Sequence, residues 1–260
     1  NSSDVYYLEQ FASTAFDLPT DMTVTKTISG SYQPHGTPLV KGAFSSTTTF
    51  IGDGFSTTLS VIDSSTNGYG MWATVTRPMN VMSDGNMLVV YRQYAGENTT
   101  HGQLGAGYGV VGDDAIDWDV QYNVNYNGNP PWGGGGVGGC GSAQARYPSS
   151  LASEEYPYAI YNEYTGGPPT CPAWPSNCSD YGGRPYFSYD DFGWGGESWA
   201  YPIDLDPLYD CSKDLWQGSV GYGYDGSSGA HHVSVVYDDW TRQGSYLFTS
   251  EAVEDGYIVL

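Results

Sequence analysis

Three tryptophans stand where they could meet a ligand. Trp194 and Trp199 lie in the run Phe-Gly-Trp-Gly-Gly-Glu-Ser-Trp, and Trp132 precedes a glycine-rich stretch. An indole face suits the apolar face of a sugar ring, and neighbouring glycines let a ligand approach the backbone. Packing one sheet against another is the commoner use of the same side chain. Asp204-Leu205-Asp206, with Asp210 nearby, offers the hard oxygen ligands that Ca2+ takes, but without a central glycine turn or a closing glutamate. No other cofactor is implied. His231-His232 reads as a surface pair, because adjacent strand residues point to opposite faces and cannot share a metal. No Ser–His–acid or Cys–His arrangement is marked.

The four cysteines are Cys140, Cys171, Cys178 and Cys211. Cys171 and Cys178 bracket a short Pro/Asn-rich loop, which favours bridges Cys171–Cys178 and Cys140–Cys211 among the three pairings open to four cysteines. Paired short spacings of the zinc type are absent. Disulfides imply an oxidising compartment, hence a secreted, extracellular or cell-surface chain. A start at Asn1 without Met fits removal of a leader, and would look the same after truncation. Asn1, Asn98 and Asn177 each open a glycosylation triplet. Eight Lys and Arg stand against 29 Asp and Glu, a formal charge of −21. That surface repels nucleic-acid phosphates and anionic lipids, so neither is an expected partner. No run of about 18 apolar residues exists to span a membrane as a helix.

Residues 1–45 differ from the rest, with Val5–Phe16 reading as one short helix and a Thr/Ser/Pro-rich extended segment after it. From residue 46 to 260 the chain is strands and turns. Thr47–Ile51, Thr57–Ile62, Met87–Tyr91, Gly107–Val111, Tyr158–Tyr161, Pro185–Tyr189, Val233–Tyr237 and Tyr246–Thr249 carry β-branched or aromatic residues between Gly, Asn, Asp or Pro. Gly133–Gly139 reads as a loop, since a phosphate cradle would need a lysine and a following helix.

The chain also repeats. Val-Val-Tyr, Ala-Ile-Tyr and Val-Val-Tyr close at Tyr91, Tyr161 and Tyr237, in steps of 70 and 76. Such a period, filled with about four short strands, is that of a large propeller blade. After each of the first two tyrosines come a strand, an acidic turn, a Trp and another strand; the third copy has a strand and the acidic Glu251–Asp255 segment but no Trp.

These features resemble the sialidase-like Asp-box (BNR repeat) propellers over roughly residues 70–250. The family's box reads roughly S-x-D-x-G-x-T-W between a blade's third and fourth strands. Here Asp113 and Trp118 keep its separation, while Ser188, Asp190 and Ser198-Trp199 keep its ends around an insertion. The resemblance implies an all-β, propeller-like array of four-stranded antiparallel blades. Asp113 and Asp190 would cap backbone N–H groups of a turn, with Trp118 and Trp199 packed over the sheet edge. The family's enzymes also place an Arg in an R-I-P-like element that binds a substrate carboxylate. Thr76-Arg77-Pro78 and Arg146-Tyr147-Pro148 are similar to it, and a guanidinium fork suits that ligand. The plainer use of such an arginine is to order a strand entrance through backbone carbonyls.

Those enzymes further need a Tyr nucleophile paired with a Glu, and an Asp acid/base. No local motif marks them; Glu163-Tyr164 is one neighbouring pair. Six blades of about 70 residues would need about 420 residues, so three readable copies would leave sheet edges for a partner chain or self-association to cover. The expected function is extracellular recognition, adhesion or surface assembly, with a glycan or an extracellular protein as ligand. The alternatives are a sialidase-like glycoside hydrolase, or its N-terminal portion, and a filament-forming structural subunit.

Overall fold

The computed structural model describes residues 27–28, 44–45, 47–52, 55–60, 62–63, 76–93, 102–112, 116–126, 145–165, 182–206, 214–240 and 244–259. The Val5–Phe16 helix, the 133–139 loop, Trp132, Asp113, Asp210, the three glycosylation triplets and all four cysteines lie outside them.

Every element among the described residues is a strand. Short pairs come first: β1 (Thr27–Ile28) with β2 (Phe44–Ser45), and β3 (Thr47–Gly52) with β4 (Phe55–Ser60). A four-stranded antiparallel sheet comes next, from β5 (Met79–Val81), β6 (Met87–Arg92), β7 (Leu104–Val111) and β8 (Ile116–Tyr122). The second has the same sequential order: β9 (Ala145–Ala152), β10 (Pro157–Thr165), β11 (Gly182–Tyr189) and β12 (Ile203–Asp204). The third has three strands, β13 (Leu215–Asp225), β14 (Ala230–Asp239) and β15 (Gly244–Thr249). A separate hairpin, β16 (Ala252–Glu254) and β17 (Tyr257–Val259), absorbs most of the Glu251–Asp255 segment that the sequence presents as a turn. All eight sequence-assigned strands overlap observed ones.

Tyr91, Tyr161 and Tyr237 sit on the second strands of three separate sheets. The alternation of β14 explains the placement: Val233, Val235, Tyr237 and Asp239 turn inward while His232, Ser234, Val236 and Asp238 face the other way. The middle sheet is buried on both faces. Tyr158 and Ile160 enter the core shared with β13 and β14, whereas Ala159 and Tyr161 enter the core shared with β6 and β7. β9 lies against β5 and β6 on one side and β13 on the other. The Ser149 hydroxyl donates to Gly218 O (2.6 Å), and Arg77 N donates to Ser149 Oγ (3.0 Å). The three leading strands are thus tied side by side.

Two irregularities recur at one level. The register of β9 on β10 slips between Ile160 and Asn162, and that of β13 on β14 slips between Trp216 and Ser219. Each bulge therefore faces the repeat tyrosine. At the first, Tyr147 has φ +47°, unusual for an aromatic residue and more so before a proline. At the second, the Tyr237 ring occupies the space a Cβ on Gly218 would need, with ring atoms 2.6 Å from that position.

The three tyrosines make a pH prediction. Burial above all, then Asp63 for Tyr91, Glu163 for Tyr161 and Asp204 for Tyr237, raises each phenol well above its ordinary pKa. An unfolded tyrosine ionises near pH ~10. The stability that the protonated rings contribute is therefore intact below that pH and lost as pH rises past it. Three such groups remove roughly 4 kcal/mol per pH unit. The share of phenolate absorbance that belongs to the buried rings is expected to rise in one cooperative step together with loss of the far-ultraviolet strand signal. A gradual titration that leaves the strands intact would contradict this.

Candidate functional site

Toward the C-terminal halves of β6, β10 and β14 polar residues stand in place of apolar ones. After each repeat tyrosine comes a polar pair: Arg92-Gln93, Asn162-Glu163 and Asp238-Asp239. Arg92, Gln93, Asn162, Glu163 and Asp239 are all buried, as are Gln103 and Asn125 beside them. Buried polar groups need partners, and most of these have them. Gln93 Nε2 donates to Asn123 Oδ1 (3.1 Å), and Asn123 N donates to Gln93 Oε1 (2.7 Å). Asn125 accepts from Leu104 N (2.9 Å) and donates to Gly102 O (2.8 Å) and to Glu163 Oε1 (3.2 Å). The last bond joins the first sheet to the second.

Asn162 is different. It is fully buried, and neither its amide nitrogen nor its amide oxygen has a hydrogen-bond partner. Its neighbour across the ladder is Arg146. The Arg146 guanidinium donates to Ala145 O (3.1 Å) and is close enough to Arg92 to act on it. Burial first, and the Arg146 charge second, lower the Arg92 pKa to about 9, with Tyr147 opposing. Two guanidinium groups held near each other in a desolvated place suit an anion. Behind them, Tyr147 packs edgewise on Trp216 and at a tilt on Trp240, whose rings stack at 5.1 Å. Arg184 and Asp204 form an ion pair elsewhere in the second sheet.

Arg77 goes elsewhere. Val90 N donates to Pro78 O (2.9 Å), which sets Pro78 opposite Val90, while Ser149 stands opposite Ile160. Pro78 therefore corresponds to Ser149, and Arg77 to the bulge at Tyr147-Pro148, so the Arg77-Pro78 element, which lacks the central residue, is out of step with Arg146-Tyr147-Pro148. The Arg77 guanidinium donates to Val220 O (3.2 Å). It lines a cavity of about 830 Å³ at the opposite, hairpin-turn end of the sheets, with Glu154, Glu155, Tyr156, Tyr222 and His231 among its walls.

The remaining candidates are structural in their contacts. The Asp190 carboxylate accepts from Phe192 N (3.1 Å) and Ser198 N (3.3 Å), closing the turn between β11 and β12. Trp199 bridges back to Asp190 through the backbone, and its Nε1 donates to Gln121 Oε1 (2.6 Å) in the first sheet. Trp194 Nε1 donates to Ser153 O (2.9 Å), and its ring meets Tyr108 edge-on at 5.1 Å. Trp118 lies inside β8 rather than at the end of a turn, its ring over Gly107 and Gly109. Asp204 accepts from Asp206 N (2.9 Å) in addition to its ion pair. Among the described residues no three His, Cys, Asp or Glu side chains are grouped as a metal would need. His231 stacks on Tyr222 at 5.0 Å, and His232 bonds Ser228 and Ser250 O, so the two rings do not converge.

No family model matches the chain, and no curated protein does. A solved structure of an inulosucrase from Halalkalicoccus jeotgali bound to kestose is similar at 15% sequence identity and a TM-score of 0.39. The match covers 84% of this chain, which spans 59% of that one.

Proposed function

We propose that the chain builds propeller-like blades of the Asp-box kind in an extracellular recognition module, and that its ligand is an acidic glycan. The sugar carboxylate lies between Arg146 and Arg92, with the Asn162 amide hydrogen-bonded to the same group. One observation carries this reading: register sets Arg146 opposite Asn162, and the packing of β6 on β9 brings Arg92 near Arg146, beside a buried amide with both polar atoms unsatisfied. An anion there would offset the mutual repulsion of the arginines and satisfy the amide. The sequential order of the sheets, with a core on each face of the middle one, supports the blade arrangement.

Recognition is preferred to hydrolysis because the tyrosine beside Glu163 is out of a substrate's reach. Tyr161 is fully buried and its hydroxyl is hydrogen-bonded to Ser188 Oγ (2.8 Å). A nucleophilic phenol must meet the substrate as well as a base. On a panel of immobilised glycans the protein is expected to retain sialylated and uronic-acid chains and to ignore their neutral counterparts. A fluorogenic sialoside is expected to remain uncleaved. Binding confined to neutral sugars would refute the carboxylate site, and turnover of the sialoside would favour the hydrolase.

A further inference from the structure

Three strands close the sheets on the side away from β5, β9 and β13, and two of them are protected. β8 presents the exposed Asp117 and Asp119, and β12 is only two residues long. Charge and brevity keep a sheet edge from pairing. β15 has neither: Gly244-Ser245-Tyr246-Leu247-Phe248-Thr249 carries no charge and no proline over six residues. It is the third strand of its sheet, and among the described residues no strand lies beyond it. The third strands of the other sheets, β7 and β11, are mostly buried and carry a fourth strand, whereas no residue of β15 is buried. Leu247 is 66% exposed and stands across the ladder from Val236, 41% exposed. The ladder also fixes which backbone groups face outward. Ser250 N donates to Val233 O (2.9 Å), so Phe248 and Tyr246 turn their N–H and C=O groups toward β14. Those of Ser245, Leu247 and Thr249 point away from the sheet. Acids stand at both ends of this edge: Asp238, which accepts from Ser245 Oγ (2.9 Å), and the exposed Glu251.

We propose that β15 is a docking edge that takes an extended, basic segment of a partner protein as a fourth strand, antiparallel as β8 is to β7 and β12 to β11. Backbone bonds to Ser245, Leu247 and Thr249 hold the segment. Its alternate apolar side chains cover the half-buried Tyr246 and Phe248, and its flanking cations face Asp238 and Glu251. Charge selects the occupant. A second copy brings the same uncharged strand on a chain of formal charge −21 and is repelled, whereas a cationic segment is drawn in.

The blocked peptide Lys-Val-Thr-Val-Thr-Val-Lys is the probe, titrated calorimetrically into the intact chain. It is expected to bind saturably, and its counterpart with glutamates for lysines to bind at least about tenfold more weakly. N-methylation of its threonines, whose N–H groups face β15 when the valines face Tyr246 and Phe248, is expected to abolish binding while leaving the charge unchanged. Leu247→Pro removes a donor that faces outward and leaves the ladder to β14 intact, and it should weaken the peptide about tenfold. Hydrogen exchange reads the edge itself. In the chain alone the amides of Ser245, Leu247 and Thr249 should exchange freely while those of Tyr246 and Phe248 are slow, and the peptide should slow the first set at least about tenfold. Protection of that set in the dilute chain alone, or protection that grows with protein concentration without peptide, would overturn the proposal, since the chain itself or a second copy would then fill the edge. Binding indifferent to charge reversal, to N-methylation or to Leu247→Pro would overturn it too.

Discussion

Tyr237→Ala is expected to destabilise the protein by about 3–5 kcal/mol, as truncation of large buried aromatics does. The ring is fully buried in the core between the second and third sheets. It fills the gap over Gly218 and meets Phe248 edge-on at 6.2 Å. Its hydroxyl donates to Tyr161 O (2.7 Å), joining the second strands of neighbouring sheets across 76 positions of sequence. Removing the ring opens a cavity at the bulge and leaves that carbonyl short of a donor. Tyr237→Phe isolates the second effect and should cost about 1–2 kcal/mol. Chemical denaturation of the two variants measures the difference. Similar midpoints for Ala and wild type would mean that Tyr237 does not stand at a junction of sheets.

The repeat was legible because it rests on local signals. Alternating apolar residues with Asp84-Gly85 or Asp225-Gly226 between them give strand, turn and strand, and the observed turns use those residues: Gly85 has φ +89°, and Asp84 Oδ1 accepts from Asn86 N (2.9 Å). The turn closed by Asp190 was legible for the same reason, since a carboxylate followed by Gly and a hydroxyl residue is a local capping pattern. The polar site was not legible. Asn125 meets Glu163 over 38 residues of sequence, and Arg92 meets Arg146 through the packing of β6 on β9. Neither pair shares a motif. The mismatch of Arg77 and Arg146 has a similar origin, because an extra residue at a bulge displaces the rest of the strand by one position and shows only in register. One signal was present: the polar pairs Arg-Gln, Asn-Glu and Asp-Asp that follow the repeat tyrosine directly.

Arg146→Ala is expected to weaken binding of an acidic sugar about 100-fold, near 2.7 kcal/mol, the scale of a lost bidentate guanidinium–carboxylate pair. Arg146 is the better target of the two arginines because it is only half-buried, while Arg92 is buried and would leave a hole. Losing Arg146 also removes the repulsion that presses on Arg92, together with the hydrogen bond to Ala145 O. Arg146→Lys restores the charge without the planar fork, and should recover no more than about tenfold. Unchanged affinity in Arg146→Ala, with the fold intact, would move the site away from the strand ends.

The proposed recognition at the polar ends of the strands turns on the sugar's carboxylate. Calorimetric titration of the wild-type protein with an α-methyl sialoside and with the methyl ester of the same sugar isolates that one group. The arginine site predicts the free acid to bind at least about 30-fold more tightly than the ester. Equal affinities for acid and ester, or tighter binding of the ester, would contradict it.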